Sequence, residues 1–292
     1  MANGLRRVSA CAFVVAMIGI AGCGSTSTTA AQSNLGRQSP STAPSQLRGV
    51  IALGHSGLTG FKSVPQSSGD ARQNSWATGT ATEVDSVYQR LVALSPETAG
   101  HVANAARDGA TADTLSDQAR VALSQVPMPQ LVVIQTIDND IRCDGTDSAH
   151  VGVFGASVAK ALDVITKASP KSAILLVSQP GRPATVAATV AKVPEAKAAF
   201  TGTGMCDFFD PAGMTNAQHI ATVTALVMAY EAEQNRVCAL VPQCSGDHGV
   251  FAGYVDDVND LAQGDWNHLT AHGHARLAAA IWPTVARLLT LG

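Results

Sequence analysis

Charge is scarce in this chain. Only 14% of its 292 residues are Asp, Glu, Lys or Arg, against a hydrophobic share of 46%, and a chain that apolar buries a core rather than staying disordered. Net charge is −3 with no stripe of Lys and Arg, so the electrostatic footprint of a nucleic-acid binder is missing. No Cys-x2-Cys pair is present, which removes the ordinary zinc-site spacing. Gly202 and Gly204 lack phosphate-loop spacing and read as a plain loop. His268, His272 and His274 would place two imidazoles on one helix face. Leu269, however, stands where a zinc protease needs its glutamate, and Gly273 weakens the helix. Neither a metal nor any other cofactor is expected, and no internal repeat is visible.

What is present begins with Arg6 and Arg7, followed by an apolar run from Val8 to Ala21. That run is long enough for a signal-peptide core and short for a membrane span. It ends in Ile20-Ala21-Gly22-Cys23, which resembles the bacterial lipobox, whose cysteine is lipidated and becomes the first mature residue. The expectation is export, with 1–23 as leader and a lipid anchor on Cys23 at the cell membrane or envelope. Residues 24–46 are rich in Ser, Thr, Ala, Gln and Pro and read as a flexible tether. Residues 47–292 are expected to form one folded domain. Of the six cysteines, Cys11 leaves with the leader and Cys23 takes lipid. The other four admit three pairings in an oxidising compartment. Cys238 and Cys244 are close enough to staple one loop, which leaves Cys143 with Cys206.

Within the domain, apolar strands alternate with helical patterns. Strands are predicted at 50–53, 101–105, 131–134 and 173–177, with a last one at 238–241. Helices are predicted at 84–94, at 115–126 with Asp113 as its cap, and at 151–168, 216–234 and 271–289. The run Leu131-Val132-Val133-Ile134 suits a strand buried on both faces. The alternation predicts an α/β fold, a parallel sheet with helices on both sides. In such folds sites lie at the carboxyl ends of strands, and Ser56, Gly109 and Asn139 each fall just beyond one.

Four segments in order carry a resemblance. Gly54-His55-Ser56 follows the first strand, Asn104-Ala105-Ala106-Arg107-Asp108-Gly109 the second, and Asp138-Asn139-Asp140 the third. Asp265-x-x-His268 precedes the last helix. Together they resemble the SGNH (GDSL-like) hydrolase family over the folded part, from Gly49 to Leu289. The resemblance implies a three-layer α/β/α, flavodoxin-like fold. It implies a Ser56–His268–Asp265 triad and an oxyanion hole made by the Ser56 N–H, the Gly109 N–H and the Asn139 side chain. Carboxylic esters are the implied substrates, whether small-molecule, lipid or acylated-glycan esters. The chemistry needs these residue types, because a serine hydroxyl is a poor nucleophile until an oriented neutral imidazole takes its proton. Two positions depart from the family pattern. His55 stands where aspartate is usual, placing a second imidazole beside the nucleophile, and Ile137 stands where the third block has glycine.

The sequence leaves other readings of the same residues open: an envelope O-acyltransferase, a carbohydrate deacetylase, or a non-catalytic binding lipoprotein. Asp140 is expected to brace the Asn139 loop. Trp76 is expected to line a pocket or anchor packing. The loops 61–80 and 205–214 are expected to shape the substrate pocket.

Overall fold

The longest β-branched runs of the sequence become the middle of one sheet. In the computed structural model, which describes residues 46–254 and 257–291, there are five strands: β1 (Val50–Gly54), β2 (Val102–Asn104), β3 (Leu131–Gln135), β4 (Ala173–Leu176) and β5 (Cys244–Gly246). They pair in the order β2-β1-β3-β4-β5, every pair parallel. β1 and β3 are buried along their whole length, which explains why neither sequence alternates with polar residues.

Successive side chains still point to opposite faces. Ile51, Leu53, Val132 and Ile134 meet α3 (Leu115–Gln125), α4 (Asp147–Ala168) and α7 (Ala217–Cys238) on one side. Val50, Ala52, Leu131 and Val133 meet α2 (Val87–Leu94) and α8 (Ala271–Leu288) on the other. This is the predicted three-layer α/β/α fold, with the flavodoxin-like strand order. Caps fix the helix starts. Ser86 and Gln89 form a capping box on α2, Asn216 accepts from the His219 N–H on α7, and Thr270 accepts from the Gly273 N–H on α8; such caps contribute about 1 kcal/mol each.

Three expectations change. Residues 238–241 are not a strand: α7 runs on to Cys238 because Val223, Val227, Tyr230, Gln234 and Val237 continue one buried helical stripe. A bond from Cys238 to Cys244 closes the turn behind it, and β5 starts only at Cys244. Asp113 does not cap α3; it lies in a short 3-10 turn and takes the Thr111 hydroxyl instead. Two short helices, α5 (Pro183–Val190) and α6 (Pro194–Ala199), occupy a stretch the hydrophobic pattern left unassigned. They pack with Phe208, Phe209, Val223 and Val227 into a satellite core beyond the end of the sheet. The expected leader, Cys23 and the expected tether up to residue 45 lie outside the described residues.

Candidate active site

The strand order reverses between β1 and β3, and the crevice beyond their carboxyl ends is where such sheets place a site. β1 ends at Gly54, whose φ is +142° and where any side chain would run into the Gln135 carbonyl of β3. Gln118 of α3 clamps that residue from both sides, accepting the Gly54 N–H at 2.6 Å and donating to its carbonyl at 3.0 Å. The chain then turns at once into α1 (Ser56–Thr59) with His55 as its cap.

His55 Nδ1 accepts the Gly57 N–H at 3.1 Å, the bond an aspartate oxygen would make at a helix start. Its ring proton must then sit on Nε2, which is buried without a hydrogen-bond partner among the described residues. Burial holds this imidazole below its ordinary value, Asp138 working against the shift and His268 adding to it. His55 is therefore a neutral capping group, with its one lone pair already occupied.

The other histidine holds the serine. His268 Nε2 lies 2.8 Å from Ser56 Oγ across 212 positions of sequence, and its Nδ1 lies 2.8 Å from Asp265 Oδ2. The Asp265 Oδ1 accepts the backbone N–H groups of Asn267 and His268 at 3.0 and 3.1 Å. The Asp-x-x-His spacing thus folds the acid back over its own turn and aims it at the ring. Lys62 Nζ lies 2.7 Å from the same Oδ2, and Phe61 sets its ring edge-on to His268 with centroids 4.8 Å apart. Burial pushes the Asp265 carboxyl up. Lys62, the two backbone N–H groups and the His268 ring outweigh it and hold the acid well below the usual carboxylate range.

Two loops flank this array. Gly109 lies in the exposed loop after β2 with φ +66°. Asn104, at the head of that loop, donates to the Leu58 carbonyl at 2.7 Å and to the Thr78 hydroxyl at 2.8 Å, tying it to α1. Asn139 sits in a 3-10 turn after β3, and one of its amide hydrogens goes to the Ala110 carbonyl at 3.2 Å. Asp140 joins the two loops, accepting the Ala112 N–H at 3.1 Å and the Thr136 hydroxyl at 3.0 Å. Ile137, where the family pattern has glycine, is buried at φ +94° and ψ −56°, a conformation unusual for a β-branched residue.

A cavity of about 250 Å³ opens beside Ser56 and His268. Its walls are mainly apolar: Pro183 and Val186 of α5, Val223 and Val227 of α7, Phe208, and Trp266 from the turn that carries Asp265. From the turn after β3 it is Asp138 that lines it, rather than Asn139. Cys143 and Cys206, bonded to each other across 63 positions, form part of the wall. The 205–214 loop therefore shapes the cavity, whereas the 61–80 loop sets Phe61 against His268 and Lys62 against Asp265. Trp76 is a packing anchor, fully buried against Phe251 and donating to Gln135 Oε1 at 2.9 Å.

His272 faces away, 2.8 Å from Asp260. His274 is buried at the cavity, where burial lowers it to about 3 with His268 contributing. Among the described residues no cluster of three or more His, Cys, Asp or Glu could hold a metal. Sequence reasoning missed Lys62 and Gln118. A buried glutamine inside the Leu115–Ala119–Ala122 stripe of α3 was the readable sign of the second. Lys62 left none, since its partner is 203 residues away.

The sequence pattern of the GDSL-like lipase/acylhydrolase family matches residues 26–281. The chain belongs to that family of hydrolases. No curated protein matches the sequence. Among solved structures the chain is similar to TesA, at 16% identity and TM-score 0.49, covering 82% of this chain and 99% of that one. It is also similar to an extracellular lipase from Streptomyces rimosus, at 17% identity and TM-score 0.48, over 82% of this chain and 99% of the lipase. An acetyl xylan esterase, AlAXEase, matches at 15% identity and TM-score 0.42, over 81% of this chain and 99% of the esterase.

Proposed function

We propose that this protein is an exported serine esterase, held at the cell membrane or envelope by lipid on Cys23, that hydrolyses carboxylic esters through an acyl-enzyme on Ser56. The observation that carries the reading is the unbroken chain from Ser56 Oγ to His268 to Asp265, with both contacts at 2.8 Å. Ser56 Oγ attacks the ester carbonyl while His268 Nε2 takes its proton. The oxyanion is met by the Ser56 N–H, the Gly109 N–H and the second amide hydrogen of Asn139, the first being committed to Ala110. The imidazolium, steadied by Asp265, returns the proton to the departing alcohol, and water repeats the sequence to release the acid.

The cavity supports an apolar acyl or alcohol group larger than acetyl. Its volume of about 250 Å³ approaches the lower end of small-molecule sites, roughly 300 Å³, and Val, Phe, Pro and Trp side chains make up more of its wall than the polar Asp138, Gln179 and Asn267. The test uses p-nitrophenyl esters from acetyl to palmitoyl with the protein and its Ser56→Ala variant. The expected outcome is turnover that favours chains longer than acetyl and disappears in the variant. Covalent capture of Ser56 by a fluorophosphonate without turnover of any ester would turn the assignment towards an acyltransferase. No capture and no turnover would reject catalysis.

A further inference from the structure

The Asp265 carboxylate carries one partner more than an acid needs if it only orients a histidine. Its Oδ2 takes both the His268 Nδ1–H at 2.8 Å and the Lys62 ammonium at 2.7 Å. Its Oδ1 takes two backbone N–H groups. These donors fill the roughly four lone-pair sites a carboxylate offers. Lys62 adopts φ +57°, a left-handed conformation in which glycine would sit unstrained, so a long basic side chain occupies a position that the backbone alone would not choose for it. Its neighbour Phe61 packs on the His268 ring, and the one loop therefore grips both the acid and the base.

We propose that Lys62 is a positioning residue that acts through Asp265 to set how far into acid the Ser56–His268 pair keeps working. The inference rests on the triad reading above. A lone carboxylate beside an imidazole draws a second proton onto the ring; a carboxylate already neutralised by an ammonium draws it less, and the ammonium itself repels the imidazolium. The ammonium on Oδ2 thereby opposes the positive charge on the ring that would take the Nε2 lone pair away from Ser56 Oγ. Other titratable groups face the pair: Asp108 from the loop after β2, which favours the imidazolium, and His55 and His274, which are coupled to the His268 charge in the opposite sense. Lys62 differs from them in touching the carboxylate itself.

The test is kcat/KM against pH for the full-length protein and its Lys62→Arg, Lys62→Gln and Lys62→Met variants on a soluble p-nitrophenyl ester. Removing the charge should move the acidic limb up by about one pH unit, a tenfold loss below it, in Lys62→Gln and Lys62→Met but not in Lys62→Arg. Lys62→Gln keeps a donor on Asp265 and with it the loop, which makes it the deciding variant. Rates that fall in Lys62→Gln while the limb stays in place would make Lys62 a brace and overturn the proposal. The pH dependence of Ser56 capture by a fluorophosphonate gives a second reading of the same limb. Wild-type protein whose Ser56 is never captured would overturn the triad itself, whereas capture with an unmoved limb overturns the role of Lys62 alone.

Discussion

At the scale of single residues, the site separates three histidines by surroundings rather than by type. His268 is partly exposed and holds the serine, His55 caps a helix, and His274 is buried beside the cavity. The last has a consequence for acid stability. Its ordinary value is 6.5 and its folded value about 3; between them the unfolded chain binds a proton that the folded chain refuses. Stability linked to His274 is therefore complete above pH 6.5 and declines as pH falls towards 3, by at most about 1.4 kcal/mol per pH unit. A His274→Leu variant should lose less of its urea midpoint between pH 7 and pH 4.5 than the wild type; an equal loss would place the acid sensitivity elsewhere. The residues most legible in the sequence were those whose meaning is local. Asp265 and His268 are three apart, and Ser56 follows a short apolar run between glycines that reads as a buried strand. Gln118 showed only as a polar residue on the apolar stripe of α3, and Lys62 not at all, because an ordinary lysine gains its role only when distant segments meet.

Among the elements, α3 does more than cover the sheet. Gln118 bonds both the N–H and the carbonyl of Gly54, the last strand residue before the turn that carries Ser56. Gln118→Leu keeps the helix and much of the volume but leaves the buried Gly54 N–H unpaired, at a cost of about 1–3 kcal/mol, while the carbonyl keeps its bond from the Arg107 N–H at 3.1 Å. Thermal or urea unfolding of that variant should show a loss of that order, with kcat falling as the turn loosens. Unchanged stability would mean that water replaces the glutamine. Strong periodicity made α2, α3, α4 and α8 readable to within a few residues. The pattern failed where side chains are small: α5 and α6 are built from Ala, Val, Thr, Pro, Glu and Lys without a clear stripe. It failed again at Cys238–Val241, where four apolar residues fit a helix end as well as a strand.

For the molecule as a whole, the bond between Cys143 and Cys206 joins the loop after β3 to the segment that roofs the cavity. Closing a loop of 63 positions restricts the unfolded chain by about 4 kcal/mol; the six-position loop between Cys238 and Cys244 contributes about 2 kcal/mol. Replacing Cys143 and Cys206 together by alanine should therefore lower the unfolding midpoint more than replacing Cys238 and Cys244. It should also raise KM more than it lowers kcat, since the wall moves while the Ser56–His268–Asp265 contacts stay. A larger effect on kcat than on KM would mean that the bond supports the reacting groups directly.

That wall has a further property. Between Gln179 and Val227 one continuous stretch of chain supplies most of the apolar lining, while Ser56, Asp265 and His268 come from 54–62 and 265–268. Most of the wall and the Ser56–His268–Asp265 contacts are thus written in different passages of the sequence, with Trp266 the main exception. Exchange of the 179–227 passage, with Cys206 kept as its point of attachment, would reshape the cavity while leaving the Ser56–His268–Asp265 contacts in place.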